Sequence, residues 1–163
     1  MRMVQLRNPE QNEAQPAGQD KVLEYFRQIR DLSEEVTAMN QLLQDLKSRT
    51  NDLPSPSANM GARVQVSQID SAHYESAVDR KQDLEAELRE RAGLLESLKD
   101  QAKRIIQEQC RGKDRMILML HFIQGATWVD TANACFYTER HVYRLSRELL
   151  SRITLPEDAI WVY

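Results

Sequence analysis

From Val22 onward, apolar residues recur in alternating steps of three and four: Val22, Tyr25, Ile29, Leu32, Val36, Met39, Leu43 and Leu46. A mean step of 3.5 residues keeps such positions on one stripe of an α-helix, the a/d seam of a coiled coil. A seam this long cannot be left in water, so it demands a partner helix. The spacing predicts a helix from about Lys21 to Lys47, some ~40 Å at 1.5 Å per residue. Five glycines, five prolines and 6% aromatic residues against 29% charged residues point the same way, toward long helices and away from a β-rich core. With 163 residues there is room for one ordinary domain, or a small domain plus an extension.

On the N-terminal side of this helix, residues 1–20 are polar and include Pro9, Pro16 and Gly18; a flexible tail is expected, because little apolar surface is there to offset ordering. On the other side, Pro54, Pro56 and Gly61 predict a connector over about 48–66, long enough to reverse the chain. A second helix is expected from about Gln68 to Cys110, with Tyr74, Ala77, Leu84, Leu88, Leu95, Leu98, Ala102 and Ile105 on its seam. Lys81 and Arg91 occupy seam positions between them, so this stripe is less apolar than the first. The two helices can pair within one chain, with a second copy, or both. An antiparallel hairpin over 21–111 that also forms a homodimer is the expectation.

Beyond Arg111 the periodicity shortens. Gly112 and Gly125 bracket a compact helix, expected to turn Met116, Met119, Leu120 and Ile123 inward. Thr127 and Asp130 have the spacing of a capping box, with Asp in place of the usual Glu, and open a helix over Trp128–Cys135. Phe136 and Tyr137 form a turn, and Thr138 can cap a last helix running to about Arg152. Helix, short turn, helix, with another helix packed before them, is the layout of a helix-turn-helix unit, here assigned to 112–163. The fold class expected is therefore all-α: a long helical coiled-coil hairpin followed by a compact C-terminal helix-turn-helix domain.

The last helix divides sharply. At 100° per residue, Val142, Leu145, Leu149 and Ile153 form one stripe, and Arg140, Arg144 and Arg147 stand roughly opposite. Tyr143 and His141 flank the arginines. A helix lying in the major groove needs this division, one face anchored and one offering donors, and the arginine fork suits O6 and N7 of guanine or a phosphate. Arg140, His141, Tyr143, Arg144 and Arg147 are thus the expected DNA-binding residues, over a core of Trp128, Ala132, Val142, Leu145 and Leu149. Glu139 and Glu148 offer the plainer alternative, a solvated face of paired charges.

Other functions fit poorly. The net charge is −3, so the whole chain is no general polyanion binder, although the part from Arg111 onward carries +1. Cys110 and Cys135, with His121 and His141, match no zinc spacing, and no metal or other cofactor is expected. There is no nucleophile motif, phosphate-binding glycine loop or carboxylate pair set for a cleft, so an enzyme is not expected. No apolar run approaches the length of a bilayer span and no signal peptide is evident, so the expectation is a cytoplasmic protein without a membrane partner. The apolar ending "AIWVY", Ala159 to Tyr163, reads as packing back onto the C-terminal unit, with a docking tail as the other possibility.

The run "LMLHFIQGATWVDTANACFYTERHVYRLSRELL" resembles the ArpU/RinA-like late transcriptional activators of phages and prophages of Gram-positive bacteria, which carry a helix-turn-helix similar to sigma-factor region 4. The likeness lies in Phe122, Ile123, Gly125, Trp128, Ala132, Tyr137 and the unbroken "RHVYRL" from Arg140 to Leu145, about a quarter of the chain. Phe136 stands where that family has glycine, Thr131 replaces an apolar residue, and Cys135 replaces leucine. The resemblance implies a transcriptional regulator at promoter DNA in a bacterial host, with double-stranded DNA as partner and RNA polymerase as a further one. Two alternatives remain open: a small terminase-like DNA-packaging subunit, and a coiled-coil interaction protein that binds no DNA.

Overall fold

The structure is a computed structural model that describes residues 17–52 and 68–162, and all regular structure among them is helical. Helix α1 spans Ala17–Asp52 and α2 Gln68–Gln109; α3, Gly112–Leu118, runs on into a π-helical turn over Met119–Ile123, followed by α4, Trp128–Cys135, and α5, Glu139–Arg152. No helix among the described residues is long and apolar enough to cross a membrane. α1 begins before Lys21 and ends beyond Lys47. The remainder of the expected tail and of the expected connector lies outside the described residues.

The first two helices lie antiparallel within one chain. Tyr25 Oη donates to Gln101 Oε1 at 2.8 Å, Arg91 faces Glu35 at 3.6 Å, and Lys47 reaches Glu85 at 3.3 Å, so one residue number falls as the other rises. Arg91 is tolerated on the seam because its charge escapes sideways to Glu35. Such part-exposed ion pairs contribute little energy. Apolar burial does most of the stabilising. Val22, Tyr25, Ile29 and Leu32 are buried with Leu95, Leu98, Ala102 and Ile105. Toward the far end of α1 the packing thins: Val36, Met39 and Leu46 are half-buried, and Leu42 is 52% exposed.

Phe26 was not on the seam, yet it is fully buried. Its ring meets Phe122 at 5.3 Å and Tyr25 edge-on at 5.4 Å. The first half of α1 therefore packs on two sides, against α2 and against the C-terminal helices. One apolar cluster continues from Val22 through Leu98, Phe122 and Leu149 to Ile153, crossing the expected boundary at Arg111. A second, smaller cluster joins Ile117, Ala132, Cys135 and Val142.

The helix between Gly112 and Gly125 differs from its expected face. Ile117, Leu118, His121, Phe122 and Ile123 are buried, whereas Met116 is 41% exposed. Two facts explain this. The helix lies between both clusters, so more than one side is covered, and the π turn adds a residue that rephases everything after Leu118. Both flanking glycines have positive φ, 57° at Gly112 and 74° at Gly125, where a side chain would be strained.

The C-terminal segment packs back, as its apolar character suggested, but its ring contact and side-chain hydrogen bonds are to α1 and α2 rather than to the C-terminal unit expected to receive it. Trp161 stands edge-on to Tyr25 at 5.8 Å. Three glutamine amides hold the main chain: Gln109 exchanges two hydrogen bonds with Thr154, Gln101 donates to Asp158 O and accepts from Ile160 N, and Gln28 donates to Ile160 O and accepts from Val162 N. Each amide acts like one rung of a strand ladder, satisfying peptide groups of a segment with no helix of its own. Tyr163 lies outside the described residues.

Candidate nucleic-acid interface

The short helix α4 is fixed at both ends by local hydrogen bonds. Thr127 Oγ1 accepts from Asp130 N at 3.1 Å and caps the helix; it also donates to Asp130 Oδ2 at 2.7 Å, so the carboxylate meets the Thr127 hydroxyl where a capping box would have it meet the Thr127 N–H. Thr131 is fully buried, and its hydroxyl donates to Thr127 O at 2.8 Å. A hydroxyl here thus replaces an apolar group without leaving an unsatisfied donor.

At the other end, Phe136 adopts φ 59° and ψ 42°, the left-handed region, while Tyr137 N donates to Ala132 O at 2.9 Å. Its side chain is 89% exposed, so no burial offsets the backbone cost. The Phe136→Gly variant is expected to raise the unfolding free energy by about 1 kcal/mol, read as a higher denaturant midpoint at unchanged slope.

Two residues on, Thr138 Oγ1 accepts from His141 N at 3.3 Å and starts α5. α5 is then held twice. Val142 is buried against Ile117, Ala132 and Cys135, and Leu149 and Leu150 against the large cluster, with half-buried Leu145 touching both. Ser146 is buried too, its hydroxyl donating to Tyr143 O at 2.7 Å. Trp128 is half-buried: it stacks on His121 with centroids 3.4 Å apart and meets Tyr143 edge-on at 5.6 Å. Burial lowers the basicity of His121, against the Ala126 carbonyl 2.8 Å from Nδ1, and Arg30 lowers it further. The Cys135 thiol is pushed up by burial and packs as a small apolar group, and burial raises Cys110 as well.

The outward side of α5 carries the five expected residues. Arg140, Arg144 and Arg147 are exposed, Tyr143 is 48% exposed, and His141 is half-buried with its ring edge-on to Tyr137. All five line one open concavity of about 480 Å³ with Thr138 at its edge. Glu148 pairs with Arg152. The arginines are therefore brought together with a tyrosine hydroxyl and an imidazole at a concave surface, on a helix whose opposite side is locked. Such a surface can donate to phosphates or to acceptor edges of bases.

The sequence pattern missed the neighbours of this surface. Arg27 and Arg30 of α1 line a cleft with Tyr143 and Arg147. On the heptad wheel they fall off the seam and so read as solvent-facing. Only the adjacent Tyr25–Phe26 pair hinted that this side of α1 is covered. Comparison of the chain with protein-family models, with curated proteins and with solved structures returns no match.

Proposed function

We propose that this protein is a sequence-specific DNA-binding transcriptional regulator of the phage or prophage late-gene activator type. In this reading α4 and α5 form a helix-turn-helix, and α5 enters the major groove. Arg140, Arg144 and Arg147 grip phosphates or guanine edges, while Tyr143 and His141 donate to the backbone. The observation that carries it is the gathering of all five side chains on one concave surface of a helix buried on its other side. The quoted "RHVYRL" run adds the resemblance to region-4-like activators, and with it RNA polymerase as a second partner. The antiparallel α1 and α2 serve as a coiled-coil hairpin that joins two copies, the thinly packed end around Leu42 contributing the contact, and so sets the distance between two reading heads.

Affinity selection of source-genome fragments by the purified protein tests this. The expected result is enrichment of one or a few fragments upstream of an operon. Enrichment at a packaging locus would replace the reading with a terminase-like subunit. No enrichment of any fragment would leave the coiled-coil interaction protein in its place.

A further inference from the structure

The concavity on α5 does not end at α5. Tyr143 and Arg147 line a second cleft, of about 390 Å³, whose other wall is the N-terminal half of α1 with Arg27 and Arg30. Its floor is the stacked His121–Trp128 pair. Two residues three apart on a helix have side chains on the same side, so both guanidinium groups can converge on one ligand. The floor is aromatic, and burial lowers the basicity of His121 within it. A planar guanidinium over such a floor favours an oxyanion: it is less strongly hydrated than an ammonium, and its fork matches two oxygens of a phosphate. Arg30 rests at 3.1 Å from Glu34, but both side chains are well exposed, and a pair of that kind yields readily to a stronger partner.

We propose that α1 is part of the nucleic-acid surface: Arg27 and Arg30 hold a backbone phosphate of the strand bordering the groove that α5 enters. This rests on the DNA-binding reading and enlarges its footprint. Because Tyr143 and Arg147 belong to both concavities, a strand following the edge of the groove passes from one into the other. The contact is to phosphate, so it adds affinity and fixes orientation without reading sequence. Asp20 also lines the cleft, and its carboxylate opposes a phosphate there.

The test compares binding of the full chain to a selected duplex and to a scrambled duplex of equal length, across a salt series. The variants are Arg27→Gln/Arg30→Gln, Asp20→Asn, and Arg80→Gln/Arg89→Gln, which makes the same charge change at exposed positions on α2. For a dimer, the Arg27/Arg30 variant is expected to bind both duplexes about tenfold more weakly, with a log–log salt slope shallower by about 2. Asp20→Asn is expected to tighten both, a change of sign that a folding defect does not produce. The Arg80/Arg89 variant is expected to stay within about twofold of the parent chain.

Equal losses in the two arginine variants, or no loss in the first, would overturn the proposal while leaving the α5 reading intact. Failure of the parent chain to bind either duplex would overturn both. A nucleoside monophosphate titrated calorimetrically covers the remaining source of phosphate. Binding that depends on Arg27 and Arg30, with an unchanged duplex slope, would assign the cleft to a free nucleotide and reject the strand contact.

Discussion

Replacing Arg140, Arg144 and Arg147 together by alanine is expected to reduce affinity for the selected duplex by about a thousandfold or more, and to flatten its salt dependence. For a dimer presenting three arginine–phosphate contacts per copy, these arginines account for roughly −5 of the parent chain's log–log slope, since each neutralised phosphate contributes about −0.9. The variant should keep only the shallow slope of about −2 that Arg27 and Arg30 supply. All three side chains are exposed, and alanine is the strongest helix former, so the helicity of α5 is expected to hold. Unchanged far-ultraviolet dichroism and an unchanged unfolding midpoint would confirm that only the surface was altered.

Single replacements divide the triple effect. An arginine gripping a phosphate should cost the same on selected and scrambled duplexes and shift the slope. One gripping O6 and N7 of guanine should cost mainly on the selected duplex, about 1–3 kcal/mol, with little change in slope. A parent slope near zero would remove the electrostatic basis of the proposal, and the arginines would then be an ordinary solvated face.

How much of this was legible in the sequence depends on which force set each feature. The α1 seam was legible because a single periodic requirement governs it: Val22, Tyr25, Ile29 and Leu32 all meet the same neighbouring helix. Val142, Leu149 and the opposed arginines were legible for the same reason, and Thr127 and Thr138 because capping is a local affair.

Phe26 was not legible. It serves a second interface, and one helical period cannot report two buried sides. Met116 was misplaced because its helix lies between two clusters, and because the π turn after it breaks the phase that set Met116 in line with Leu120 and Ile123. The glutamine contacts to the C-terminal segment escaped notice for another reason. Gln28, Gln101 and Gln109 look like polar surface until a strand-like segment from far along the chain presents its peptide groups to them. Phe136 was the reverse case. It lies in a turn, where the family it resembles has glycine, and the left-handed conformation is there with no packing to account for it. The cleft beside α5 combines these difficulties, since its walls come from α1 and α5, which are distant in sequence and share one core.

Phe26→Ala is expected to lower the unfolding free energy by about 3–5 kcal/mol, the sum of lost transfer energy and the cavity left behind. Against a total of about 5–15 kcal/mol for a domain, that is enough to bring the midpoint close to working temperatures. The form of the transition is as informative as its position. Phe26 lies on α1, but its ring is packed against Phe122, and the cluster that encloses it reaches Ile153.

If that cluster is one cooperative unit, tryptophan fluorescence from the C-terminal part and helical dichroism, dominated by α1 and α2, should fall together in the variant as in the parent. If residues 21–111 and 112–163 fold separately, dichroism should weaken first and the fluorescence of Trp128, followed in a Trp161→Phe background because Trp161 rests on Tyr25 of α1, should keep the parent midpoint. The distinction bears directly on DNA binding. If α5 reads DNA as proposed, it does so anchored through Leu149 and Leu150 to a core that includes α1, and it is rigid only while α1 is in place. Phe26→Ala should then weaken duplex binding with a steep temperature dependence, although Phe26 touches none of the arginines' concavity. Binding that survives after the dichroic signal of α1 and α2 has melted would show instead that α3, α4 and α5 hold the reading surface by themselves.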